Sequence, residues 1–500
     1  MAEDAAQHLW HFKPSRDIKT VHLFNGLLRT LCGDTPDGLG LLRTVVATHP
    51  HRANARATRH LTAQELLTDP DHAAFRAAVA GALTEASVEE TRVALDAVLN
   101  QDGAFFGGLD AEKTRRNAGR PVFGSGPSTL TLTHWRHLTA DPSDNKAGLL
   151  LGGLLLAAPA QKAAHALREI LLEDGDTTTR LTAPLLPAPA KAMPPLPAVP
   201  EDTARHLAAS PVLAAVQAAF ENLAGHRRAL GKLELLARAA RLASFGLWVH
   251  VLNAGRTGAG RQPLLLCGPK PSPAMRAASH NGVGMMHRQL RRMYAKAMAY
   301  QLTASGLHEG LTVTEYGRWA GDWEAEEQAR FELEIDQRTA AGLSAFQAVC
   351  QALVEPAMRR IVRKRKSEGE GEGQKKPDKK AGPDKFINEQ ARSAGLFPGN
   401  PGRAGHHLCP GPLFYDVLVA ALLPPGRSLT ARQFWQLAYD QFGLMCGVRG
   451  AADLADLARA GITGLTPAHL AANAQAVLAE LTKQGYAQAH ADGETVLALQ

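Results

Sequence analysis

From Ser367 to Gly382 the chain reads SEGEGEGQKKPDKKAG, and apart from Pro377 it holds no apolar side chain larger than that of alanine. Burial has nothing there to set against the entropy of ordering the backbone, so the composition predicts disorder. Any core must be built from the sequence on either side. A second break lies at LLPAPAKAMPPLPAVP, Leu185 to Pro200, where proline removes amide donors and stiffens the backbone toward polyproline II. The chain has 500 residues, more than one compact core usually covers. The two breaks therefore predict an N-terminal, mainly helical domain over 1–180 and a proline-rich linker over 181–200. A helical domain follows over 201–366, then a charged linker over 367–385 and a last domain over 386–500.

Alanine and leucine are abundant and aromatic residues make up only 5%. These are the strongest helix formers, so the expected class is mainly α. Start signals support it. Thr62 with Glu65 and Ser87 with Glu90 have capping-box spacing. Ser210 precedes Pro211, Thr466 precedes Pro467, and Thr430 opens an apolar-periodic run, each pattern marking a helix N-terminus. Thr129, Thr131 and Thr133 alternate with Leu130 and Leu132 and read as a short strand. HNGVG, from His280, reads as a tight turn into a helix, and Pro356 predicts a kink or break in the helix that carries it. The uncharged stretch between Lys146 and Lys162 is shorter than the roughly 20 residues a bilayer span requires, so a buried helix and no membrane segment are expected. Residues 411–500 run helix, helix, long helix, then two short strands across an Asp-Gly turn at Asp492. That order predicts a winged-helix-like domain.

The formal charge of +7 suggests a nucleic-acid partner, but its location matters. Arg359 to Lys385 holds eleven Lys/Arg against five Asp/Glu, leaving about +1 for everything else. Basic surface on the folded body must then come from local clustering. The best case is HRQLRRMYAK, where Arg288, Arg292 and Lys296 recur every fourth residue with Arg291 adjacent. Met286, Leu290, Met293 and Ala297 form the opposing apolar stripe. These four cations, together with Arg359, Arg360, Arg363, Lys364, Arg365 and Lys366, are the expected contacts to DNA phosphates. Smaller clusters at Arg52, Arg56 and Arg59, and at Lys113, Arg115, Arg116 and Arg120, carry the same reading more weakly. The candidate recognition helix of the last domain offers only His469, Asn473, Gln475, Lys483 and Gln484, so partner binding is at least as natural there as base reading.

Signatures of catalysis are sparse. The sequence contains no phosphate-loop lysine motif, no His-Glu-x-x-His helix and no Gly-x-Ser-x-Gly elbow. His280 with His287, and His406 and His407 with Cys409, are metal-ligand types without a matching second pair. Glu332, Glu334 and Asp336 alternate on a helical pattern and so point apart. The five cysteines are scattered, with no Cys-x-x-Cys pair, which fits a reducing compartment. The N-terminal MAEDAAQHLWHF is not a signal peptide. A cytoplasmic location and no cofactor are expected.

Three runs carry a resemblance: FWQLAYDQFGLMCG with the sequence that follows it to TVLAL, RLASFGLWVHVL, and MRAASHNGVGMMHRQLRRMYAKAMAYQL. Over about half the chain they resemble helical accessory proteins of bacterial anti-phage defence islands, encoded beside HerA/FtsK-type ATPases or helicases. The resemblance has no invariant catalytic motif. It implies a non-enzymatic subunit working on DNA with an ATPase or helicase partner. Two other classes stay open: a protein–protein adaptor that does not touch nucleic acid, and a metal-dependent nuclease whose site only the fold assembles.

Overall fold

The computed structural model describes residues 2–15, 18–33, 144–175, 192–200, 210–254, 260–304, 325–360, 383–397, 406–490 and 494–499, with His134, Trp135, Leu138, Glu201, Thr203 and His206. The protein is mainly helical. Helices α1 (Ala2–Trp10), α2 (Thr20–Cys32), α3 (Ala147–Leu156) and α4 (Lys162–Leu171) come first. Then follow α5 (Pro211–Gly225), α6 (Lys232–Asn253), strand β1 (Leu264–Leu265), α7 (Pro273–Ala304), α8 (Ala325–Ala340) and α9 (Ala345–Arg360). The last part holds α10 (Pro383–Ser393), α11 (Pro412–Leu422), β2 (Ser428–Thr430), α12 (Ala431–Phe442), β3 (Leu444–Met445), α13 (Asp453–Arg459), α14 (Pro467–Lys483), β4 (Ala487–Ala489) and β5 (Thr495–Ala498). The expected capping boxes at Thr62 and Ser87 and the strand at Thr129–Thr133 lie outside the described residues.

The caps read from sequence hold. Ser210 Oγ accepts from the Leu213 amide at 3.4 Å, with Pro211 in the first turn of α5. Thr430 and Gln433 close a capping box on α12, and Thr466 closes one on α14 with His469 as the returning side chain. The uncharged stretch is α3, buried rather than exposed to lipid. A Cβ at Gly148 would fall 2.5 Å from the backbone of Gly26 and Leu27, so α3 and α2 meet almost backbone to backbone. The Gly148 amide donates to Asp144 at 2.9 Å, and burial raises the Asp144 carboxyl pKa.

Helix α6 is the axis of the fold. Of the described helices it alone is long and apolar enough to cross a bilayer, yet 94% of that window is buried against protein. It touches α2, α5, α7, α10 and α11. One buried cluster runs from Ala5 to Leu497, joining the first helices to the last strands. Polar ties reinforce it. Gln390 on α10 donates to the Ile18 carbonyl at 2.8 Å. Arg238 on α6 meets Glu234 at 2.5 Å and the Tyr486 hydroxyl at 3.4 Å, and that hydroxyl donates to Asp416 at 2.6 Å. The proline run also docks, its Pro194 carbonyl accepting from Arg168 of α4, which donates to Leu31 at 2.6 Å as well.

At the C-terminal end, β2, β5 and β4 form an antiparallel sheet in that order, with Leu429 opposite Leu497 and Gln488 opposite Val496. The two last strands therefore pair as expected, with the Asp-Gly segment between them outside the described residues, and β2 adds a third strand that the sequence pattern does not announce. Separately, β1 pairs in parallel with β3, Leu264 with Leu444 and Leu265 with Met445. Two expectations change. The HNGVG segment makes no turn: α7 runs unbroken through Gly282 and Gly284. Glycine weakens a helix by roughly 1 kcal/mol, and at Gly282 a Cβ would come within 3.0 Å of Ile462 Cδ1, a tight approach to the tip of that side chain. Helix α9 likewise continues through Pro356 to Arg360.

Candidate nucleic-acid interface

Helix α7 begins at Ser272-Pro273, the same start signal as α5, with the Met275 amide donating to Ser272 Oγ at 3.3 Å. Its 32 residues make a rod of about 48 Å at 1.5 Å per residue. One side is buried through Met275, Val283, Met286, Leu290, Met293 and Met298. The rod is braced at both ends. Near its start Ser279 Oγ donates to the Leu265 carbonyl and accepts from the Leu408 amide, each at 2.9 Å. Toward its end Trp10 stacks on Tyr294 at 5.3 Å and His8 on Tyr300 at 4.5 Å. A long helix held this way presents its other face as a fixed surface.

That face is cationic. Helix α7 contains no Asp or Glu, and Arg276, Arg288, Arg291, Arg292 and Lys296 are all exposed. The structure thus brings Arg288, Arg291, Arg292 and Lys296 together on the surface, as their spacing predicts. Arg276 and His280 are exposed nearer the start of the helix, on a side turned away from Lys296, since 20 residues make about five and a half turns. Arg276 to Lys296 covers about 30 Å. Acidic residues gather instead on α8, where Glu334 is engaged by Arg338 at 2.9 Å. Arg359 and Arg360 close α9. Arg363, Lys364, Arg365 and Lys366 lie outside the described residues, as do the clusters around Arg56 and Arg116.

The two histidine motifs meet nearer the start of α7. His280 Nδ1 lies 2.9 Å from the His406 carbonyl, and the His406 ring sits 5.2 Å from that of Phe397. Burial lowers the His406 pKa, with His287, Arg392, Lys385 and His280 adding repulsion. Among the described residues no three His, Cys, Asp or Glu side chains converge in a way that would hold a metal ion. Cys409 Sγ instead faces the Gly268 carbonyl at 3.5 Å, and burial pushes the Cys267 thiol up to about 12, far from a ready metal ligand.

Helix α14 carries a correction. Asn473, counted among the candidate base readers, is buried at 7% exposure. Its amide donates to the Leu266 carbonyl at 3.0 Å and the Cys446 carbonyl at 3.2 Å, and its oxygen accepts from the Gly268 amide at 2.7 Å. It ties α14 to β1 and β3, where three otherwise unpaired backbone groups would be left buried. His469 is used in the Thr466 cap. Gln484 donates to Glu480 at 3.1 Å, and Lys483 lies 3.7 Å from the same carboxylate. The exposed positions between them are Ala471, Ala472, Gln475, Ala479 and Thr482, whose hydroxyl donates to the Leu478 carbonyl at 2.9 Å, a face with little capacity to read bases or phosphates. Comparison of the chain with protein-family models, with curated proteins and with solved structures gave no match.

Proposed function

We propose that this chain is a DNA-associated, non-enzymatic accessory or scaffold protein that lays α7 along a phosphate backbone. The acid-free, rigidly braced cationic face of α7 carries the reading. A helix about 48 Å long with every Lys and Arg exposed and no carboxylate of its own has the footprint of a backbone contact. Such contacts position a protein on nucleic acid without specifying sequence. Residues 411–500 are read as a winged-helix unit, supported by the helix order and the β2-β5-β4 sheet. With Asn473 committed to the interior, that unit is assigned to a protein partner rather than to base edges. The resemblance to defence-island proteins makes an ATPase or helicase subunit the partner class to seek.

The test is fluorescence anisotropy of the full chain with duplex and single-stranded DNA over a salt series. Each phosphate contact contributes roughly 0.9 to the log–log salt slope on duplex. Arg288→Ala, Arg292→Ala and Lys296→Ala combined should lower that slope by about 3. Undetectable binding at low salt, or a slope the triple variant leaves unchanged, removes the proposal. Salt-independent co-purification with a partner and no DNA binding would establish the adaptor reading instead.

A further inference from the structure

We propose that Tyr300 is a base-stacking platform at the end of the cationic row, so that this face holds single-stranded DNA by a base as well as by its phosphates. The inference rests on the reading of α7 as the phosphate-binding face and names the class of strand it takes. Arg288, Arg292, Lys296 and Tyr300 recur every fourth residue, and all four are exposed. Each step moves about 6 Å along the helix and about 40° around it, so the ring stands next to Lys296, with Arg292 one step farther. Tyr300 is 56% exposed, whereas every other Phe, Tyr and Trp among the described residues is buried or half-buried. The single ring left open to water thus falls on the row of cations. A positive surface interleaved with an exposed aromatic ring is the pattern that binds single strands.

The ring is also held in place. His8 of α1 stacks on it with centroids 4.5 Å apart and planes 10° from parallel, so one face is backed and the other is left for a ligand. Two residues beyond His8, the fully buried Trp10 stacks on Tyr294 at 5.3 Å and donates to the Val251 carbonyl at 3.3 Å, which fixes α1 against this end of α7. A tyrosine has only two side-chain torsions, and a ring already held parallel to a neighbour loses little freedom when a base settles on it. Stacking accepts any base, since each presents a π face, and this suits a row of cations that touches phosphates without reading sequence. In a duplex the bases are stacked on one another, and reaching one requires taking it out of the stack. Tyr300 therefore adds to the binding of single strands alone, whereas the charge of Arg292 and Lys296 serves either form.

Fluorescence anisotropy of the full chain with labelled oligothymidylate, with a duplex and with an abasic strand of the same length tests this. Tyr300→Ala should weaken oligothymidylate binding by about 5- to 140-fold and leave duplex binding as in the parent. Its salt slope on the single strand should not change, because no charge is lost. Lys296→Ala should instead weaken both forms and lower the single-strand slope by about 0.7. Tyr300→Trp, which keeps a stacking ring, should bind oligothymidylate at least as tightly as the parent. On the abasic strand, which has phosphates without bases, the parent and Tyr300→Ala should bind alike. Undiminished oligothymidylate binding by Tyr300→Ala overturns the proposal, and so does an equal loss on duplex and single strand, which marks a structural role. If either occurs while binding stays salt-dependent and sensitive to Arg292 and Lys296, only this inference fails. If no DNA binds at low salt, the functional reading fails with it.

Discussion

His250 makes the fold acid-sensitive by an amount that can be worked out. It sits on α6 at 1% exposure, with Nε2 3.2 Å from the Trp10 carbonyl and Nδ1 buried without a hydrogen-bond partner. His11 lies beside it, ring centroids 6.1 Å apart, and stacks on His206 at 3.3 Å. Burial is the main cause that lowers the His250 pKa to about 4, with His206 adding repulsion, and His11 falls to about 3 for the same main reason. Above about pH 6.5 the imidazole is neutral in both folded and unfolded chains, and nothing is lost. Below that value the unfolded chain takes up a proton that the folded one refuses, so stability falls with pH until the folded-state pKa is reached. For His250 alone the loss at pH 5 is about 2 kcal/mol, and about 3 kcal/mol when complete. Urea unfolding of the parent and of His250→Gln at pH 7.5 and pH 5.0 checks this, since glutamine still donates to the Trp10 carbonyl but does not titrate. The parent should lose about 2 kcal/mol more than the variant between the two pH values. Parallel losses would show that the buried imidazole is already protonated in the fold, or that it escapes burial, and would refute the reasoning.

Three further outcomes follow from the packing. Gly148→Ala forces a methyl against the backbone of α2 and should cost about 1–3 kcal/mol, read as a drop in Tm. Asn473→Ala strands the Gly268 amide and the Leu266 and Cys446 carbonyls, and a loss of about 2–4 kcal/mol is expected by urea unfolding. Thr466→Ala removes one cap of α14 and should cost only about 1 kcal/mol by the same measurement.

Local signals in the sequence carried the helices well. Ser210, Thr430 and Thr466 cap where their side chains and the following residues say they should, because capping depends on neighbours within one turn. The stripe from Arg288 to Lys296 was equally legible, being a matter of helical period. The unbroken run of α7 back to Arg276 was not, since Gly282 and Gly284 argue for a turn. The meeting of His280 with His406 was hidden too. It depends on the Cys267 amide donating to the Leu408 carbonyl at 2.7 Å, a contact between segments far apart in sequence. Asn473 has the chemistry of a base reader, and only its position behind β1 and β3 assigns it to the core.

The parallel pair of β1 and β3 also sets a timetable. Leu264 finds its partner at Leu444, so during synthesis the first strand waits for 180 further residues, about 10–40 s at common elongation rates. Until α10 and α11 are made, the sides of α6 that they later cover stay open. The growing chain thus shows water an apolar surface that the finished protein hides. Ribosome-stalled chains ending before α10 should bind holdase chaperones, and release of the complete chain should end that binding.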